Sequence, residues 1–307
     1  MKSKNWFSQK NLSLIDHETK KEYTVKEFLR YLNTNHPKLK KIESTLHGTF
    51  ESTKYGSGFN FNEIREYQIG DDLRHISWSA TARTNTLQTK EYFAEKELNS
   101  VFLIDISTSM FCGKKAETFL NLCAFLLSLA ATFSEKIGGL FFSDNIKYHF
   151  QMSSAASQSN IVFQSLLNYY LSLSENLNPE PASTNLSKAL DFSKRYFIKK
   201  GLIFIVSDFI NISNWEKIFY EYSKKQNIHS FQIYDQVDFM IPKSGYACLI
   251  DPETKEQFFV NTDNEIVQES YKGVMANKQT NLINFLKSAL ISHMVIEHSD
   301  FEHIKVN

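Results

Sequence analysis

The chain has 307 residues, 42% hydrophobic and 22% charged, with 34 Lys and Arg balanced by 34 Asp and Glu. That length fits one large domain with an appendage, or two domains, and 26 Phe with 14 Tyr exclude a disordered chain. The balance excludes a strongly basic nucleic-acid binder or an acidic tail as the whole molecule. The charge is unevenly placed: residues 1–41 carry ten Lys and Arg against four Asp and Glu. A mildly basic arm, most simply a solvated face, therefore precedes a mildly acidic body.

Residues 1–50 are polar, with a helix expected around Val25–Leu32 and a break at Pro37. Tyr55 to Phe93 is rich in charge, glycine and aromatics with weak periodicity, and reads as an ordered loop-and-strand region. Val101–Ile104 is a continuous apolar run ending in Asp105. Thr118–Ser134 is uncharged but shorter than the ~20 residues usual for a membrane span. Its polar residues, with Lys114 and Glu117, fall at 114, 117, 121, 128 and 132. A narrow polar stripe at helical spacing predicts a helix buried on nearly all sides, and no span.

Strands follow at Ile137–Phe142 and Lys147–Gln151, with Ser143-Asp144-Asn145 as the turn. Helices are expected at Ser159–Leu173 and Asn185–Ile198, the latter with Leu186, Ala189, Leu190 and Phe197 on one face. Gly201–Val206 is another apolar strand, ending at Ser207-Asp208. Trp215–Ser223 reads as a helix, Ile228–Tyr234 as a strand, and Tyr246–Ile250 with Glu256–Val260 as a hairpin. A helix over Leu282–Leu290 and a strand at Met294–Glu297 close the chain. Apolar strands alternating with helices predict an α/β fold, a doubly wound, mostly parallel sheet covered on both faces. The divisions expected are a basic arm over 1–50, the unusual block over 51–96 and the α/β domain over 97–307.

Cys112, Cys123 and Cys248 show no CxxC spacing, so neither a disulfide framework nor a zinc cage is implied. Buried thiols in a reducing compartment, hence a cytoplasmic protein, follow most simply. Met1–Lys21 lacks the apolar core of a signal peptide. The nine histidines are scattered; His293, His298 and His303 recur every five residues, matching neither a helix face nor a metal motif.

In open parallel sheets, ligands bind beyond the carboxyl ends of the strands. Two strands end in an aspartate there, Asp105 and Asp208. The first continues as Asp105-Ile106-Ser107-Thr108-Ser109, placing a carboxylate and two hydroxyls at alternate positions. Thr184 adds a third hydroxyl just before a helix. This all-oxygen set suits a small hard cation such as Mg²⁺ or Mn²⁺. Singly, each residue also reads as a loop residue or helix cap. As a strand-tip residue, Asp105 is expected at the surface, so that Asp105→Ala leaves the fold near intact.

Asp105-x-Ser107-x-Ser109, Thr184 and Asp208 resemble the metal-ion-dependent adhesion site of von Willebrand factor A domains. The upstream block resembles the signature of domain-of-unknown-function family 58. It stands here as Gly56, Gly58, Phe61, Arg65, Glu66, Tyr67, Gly70, Asp71, Asp72, Arg74, Trp78, Ala80, Ala82 and Arg83. The resemblance covers about residues 45–260, departing at Ser77, where the family usually has an acidic residue.

The resemblance implies that Ser107, Ser109 and Thr184 bind the ion directly, while Asp105 and Asp208 act mostly through water. It further implies a protein-interaction module rather than an enzyme. Its partner offers an Asp or Glu carboxylate, as in an adaptor for a MoxR-type AAA+ ATPase or its clients. Two other readings stand beside it: a metal-assisted hydrolase using Asp105 or Asp208, and a structural scaffold with a vestigial site. No Ser-His-Asp or Cys-His arrangement and no Gly-rich phosphate loop is readable. The charged block reads either as a salt-bridged collar packed on the A-type domain, since buried charges must be paired, or as a partner-binding surface.

Overall fold

A computed structural model describes Val25 and residues 37–54, 58–93, 98–112, 114–175, 183–197, 201–210, 215–251 and 254–297. The helix expected at Val25–Leu32 lies, apart from a helical Val25, outside these residues, as does Gly56. The chain forms two compact units, Lys41–Leu98 and the remainder.

Helix α1, Pro37–Lys54, starts on its proline, where a missing N–H costs nothing. Leu39, Ile42, Leu46 and Phe50 form its buried stripe at helical spacing. In the smaller unit, β1 (Gly58–Glu66) pairs antiparallel with β2 (Gln88–Phe93). Between them lie a 3-10 turn at Leu73–His75 and the short helix α2, Trp78–Thr84. The aperiodic block thus holds a helix that its sequence pattern did not announce. Asn85, in the left-handed region at φ 56°, ends it, as Asn can at low cost.

The larger unit begins with β3 (Asn99–Asp105), a 3-10 turn (Thr108–Phe111) and α3 (Lys115–Phe133). Then follow β4 (Lys136–Phe142), β5 (Ile146–Ser154), α4 (Ala155–Glu175), α5 (Leu186–Tyr196) and β6 (Leu202–Ser207). Next come α6 (Glu216–Ser223), β7 (Asn227–Ile233), β8 (Tyr246–Ile250), β9 (Gln257–Asn261), α7 (Glu265–Ser288) and β10 (Ser292–Ile296). Six strands form one sheet in the order β10-β7-β6-β3-β4-β5. All neighbours are parallel except the edge strand β5, antiparallel to β4. Strands β8 and β9 form the expected hairpin. The last helix begins at Glu265, well before the expected Leu282, because its first turns bury little and carry weak periodicity.

Every residue of β3 and β6 is buried, which explains their unbroken apolar runs. Val101, Leu103, Ile203 and Ile205 pack one face against Leu186 and Leu190 of α5, Phe219 of α6 and Leu286 of α7. Strand alternation puts Phe102 and Phe204 on the other face, where their rings stack 4.9 Å apart. Helix α3 is buried along most of its length and packs on α4. By length and composition it is the one helix among the described residues that meets the requirement for crossing a membrane. The sheet runs outward from β3 in both directions, so the chain reverses between β3 and β6. A crevice opens at such a switch point, beyond the carboxyl ends of the strands.

Candidate metal centre

Asp105 closes β3 at that switch point. One carboxylate oxygen, Oδ1, accepts the N–H of Ser107 at 2.9 Å. The other, Oδ2, accepts Ser207 Oγ at 2.6 Å and Thr184 Oγ1 at 3.2 Å. This single side chain ties the exits of β3 and β6 to the segment entering α5. It is 0% exposed, contrary to the surface position expected from the sequence. The loops of three segments close over the strand tip, so Asp105→Ala removes an acceptor from three donors and is not a neutral probe. Burial, and then the nearby charge of Asp208, push its carboxyl up to about 7.

Ser107 Oγ lies 3.2 Å from Ser109 Oγ. Ser107 occupies the N-cap of the 3-10 turn, yet its side chain makes no capping bond. Thr184 is not a cap either: Asn185 caps α5, its Oδ1 accepting the Lys188 N–H at 3.1 Å. The hydroxyls are therefore not consumed by helix ends, the usual use of such residues. The structure brings Asp105, Ser107, Ser109 and Thr184 into one hydrogen-bonded cluster of hard oxygen donors, which fits a small divalent cation. Among the described residues no group of three or more His, Cys, Asp or Glu is placed to hold a metal; this cluster is chiefly hydroxyl.

Asp208 is also fully buried. Phe209, with φ at 55°, turns the chain sharply after it, a strained conformation for a bulky residue. Its N–H is held by Ser207 Oγ at 3.1 Å. Asp208 Oδ1 accepts the Ile210 N–H at 3.1 Å, and Oδ2 accepts Lys115 Nζ at 3.1 Å. Lys115 Nζ also donates to Asp238 Oδ1 at 3.0 Å. Burial works against the ammonium, but Asp208 and Asp238 outweigh it and hold its pKa above the usual lysine value. Asp238 itself is raised, burial outweighing the attraction of Lys115.

Sequence reasoning missed Lys115, Asp238 and Ser207. Ser207 had a signal, since it stands beside Asp208 at a strand end. Lys115, in the first turn after Ser107 and Ser109, had a weak one. Asp238 had none, because its partner is 123 residues away.

The signature residues lie in the smaller unit. Arg65 grips Asp71 with both guanidinium nitrogens at 2.8 Å, and Asp71 also accepts the Gln68 N–H. Gly70, at φ 112°, lets the chain turn there, a conformation open to glycine. Arg74 bonds Asp72 and holds its carboxyl down at about 2. These charges are not buried: the Arg74 side chain is 87% exposed, Trp78 is 70% exposed, and Arg83 is exposed in the last turn of α2. Tyr67 is half-buried, and Gly58 opens β1. The block forms a self-paired surface, so burial does not explain its charges. Ser77, buried at the N-cap of α2, makes no capping bond.

A doubly wound sheet carrying Asp105-x-Ser107-x-Ser109 at its switch point, with Thr184 alongside, defines a von Willebrand factor A-like α/β domain. The family described as "Protein of unknown function DUF58" matches residues 63–281, and the chain belongs to it. An uncharacterized protein of Mycobacterium tuberculosis is 26% identical over 218 residues, 70% of this chain and 67% of its own. Among solved structures, the conserved hypothetical protein BatB from Bacteroides thetaiotaomicron aligns at 13% identity with a TM-score of 0.37. That alignment covers 65% of this chain and 90% of that one. A von Willebrand factor type A protein from Catenulispora acidiphila aligns at 15% identity and TM-score 0.34, over 48% and 35% of the two chains.

Proposed function

We propose that the chain is a metal-dependent protein-interaction module of the cytoplasm. Ser107, Ser109 and Thr184 would hold Mg²⁺ or Mn²⁺ directly, with Asp105 and Asp208 acting through water. The observation that carries the reading is the hydrogen-bonded network at the switch point: the buried Asp105 carboxylate holds the Ser107 N–H and the Thr184 hydroxyl, and the Ser107 and Ser109 hydroxyls lie against each other. When bound, the cation supplies an electrophilic position that a partner's Asp or Glu can fill. Asp105 orients Thr184 and the Ser107 backbone, so the donors are arranged before any ligand arrives. The partner carboxylate would gain a charge-assisted contact in a partly dry crevice, where such contacts are strong. A MoxR-type AAA+ ATPase is the partner we propose to test first.

The experiment is Mn²⁺ titration by calorimetry, with capture from native lysate in the presence and absence of chelator. Wild type should take up one Mn²⁺. Ser107→Ala and Thr184→Ala, both folded, should lose that uptake together with chelator-sensitive capture of the ATPase. Capture indifferent to chelator and to both substitutions refutes docking through the metal. Metal-dependent turnover of a small substrate, without capture, would replace the module with a hydrolase built on Asp105 and Asp208. Absence of uptake would leave a structural scaffold.

A further inference from the structure

The metal reading assigns no role to Lys115, and its position gives it one. Its side chain is 3% exposed and opens α3, immediately after the turn bearing Ser107 and Ser109. Its ammonium sits between carboxylates from two different strand exits, Asp208 after β6 and Asp238 after β7. Each partner is itself fixed: Asp208 by the Ile210 N–H, and Asp238 by the Asp235 N–H at 3.2 Å. Tyr271 on α7 adds a bond to the Asp238 carbonyl at 3.0 Å. A buried, rigidly held positive charge beside a cation site cannot be screened by salt as a surface charge is.

Resting on the reading above, we propose that Lys115 is a built-in counter-ion that competes with the divalent cation for Asp208 and sets its affinity. Two consequences follow. The carboxylate that would otherwise draw the ion in is already paired with an ammonium, so metal is held weakly until a partner carboxylate completes the shell. Without metal, the same ammonium keeps Asp208 and Asp238 from being buried unpaired, which is strongly destabilising. Retention of metal is thereby coupled to the partner's arrival.

The test compares wild type with Lys115→Met, Lys115→Gln and Lys115→Arg in the full chain, using Mn²⁺ as the probe. Calorimetry reads affinity, and thermal unfolding with and without Mn²⁺ reads the coupling. Removing a unit charge from a low-dielectric site should tighten Mn²⁺ binding about tenfold or more in the Met and Gln variants. The Arg variant, which keeps the charge, should not tighten. Both neutral variants should melt below wild type without metal and regain most of the loss with Mn²⁺. If Lys115→Met fails to fold, Lys115→Gln, which keeps a hydrogen-bond donor, carries the same expectation. Wild-type binding with equal or weaker binding by both neutral variants overturns the proposal while leaving the metal site standing. So does a melting loss that Mn²⁺ leaves unchanged, since Lys115 is then a structural clamp only. If neither wild type nor any variant takes up Mn²⁺, the metal reading itself falls, and this inference with it.

Discussion

Gly139 on β4 is where the sheet beneath the site is least forgiving. A Cβ there would lie 2.3 Å from the carbonyl oxygen of Phe102 and 3.0 Å from its nitrogen, both backbone atoms of β3. Backbone in a central strand cannot swing away as a side-chain end can, so β3 and β4 must separate locally. Overpacking of this kind costs about 2–3 kcal/mol. Three residues further along the same ladder, Asp105 pairs with Phe142, and the Ile106 N–H bonds the Phe142 carbonyl at 2.8 Å. Separation would therefore reach the hydrogen-bonded cluster around Asp105. Gly273 in the exposed middle of α7 is the control: nothing lies within 4 Å of its Cβ, and Gly273→Ala should stabilise by about 0.5–1 kcal/mol. Urea unfolding at constant slope, followed through Trp215 in the same unit's core, measures both. Loss of Mn²⁺ affinity in folded Gly139→Ala is expected as well. A Gly139→Ala chain within about 0.5 kcal/mol of wild type would refute the argument from strand spacing.

Burial holds the His229 imidazole down at about 4, against an ordinary 6.5. Its Nδ1 is buried and makes no hydrogen bond in the structure. A group lowered on folding contributes stability that is complete above pH 6.5 and is lost as pH falls through 4. Between those limits wild type should lose up to about 3 kcal/mol more than His229→Leu, as measured by urea unfolding at a series of pH values; parallel profiles would exclude this histidine as the cause. Helix α3 is buried along most of its length, so the purified chain should remain in the aqueous fraction without detergent; strict recovery with membranes would show that the helix serves as an anchor.

Most of the larger unit's architecture was legible before any tertiary information. The unbroken apolar runs of β3 and β6 and the narrow polar stripe of α3 record burial directly, because side-chain direction repeats every two residues in a strand and every 3.6 in a helix. Alternation of such segments was enough to predict a doubly wound sheet; strand-end position singled out Asp105, Ser107, Ser109 and Asp208, and Thr184 was added as a hydroxyl just before a helix. The smaller unit was less legible: α2 is barely two turns long, too short for periodicity to stand out, and its charged neighbours read equally well as a buried collar. Only the folded chain showed that Arg65 and Asp71, and Arg74 and Asp72, pair with each other at the surface. Only it showed Asp105 buried beneath three segments, Ser207 bonded to it, and Lys115 shared between Asp208 and Asp238. Local pattern specifies whether a residue is inside, since burial follows from the periodicity of its own segment. That Lys115 meets Asp208 and Asp238, 93 and 123 residues away, is set by the order in which distant strands are laid side by side, and no short stretch of sequence contains that order.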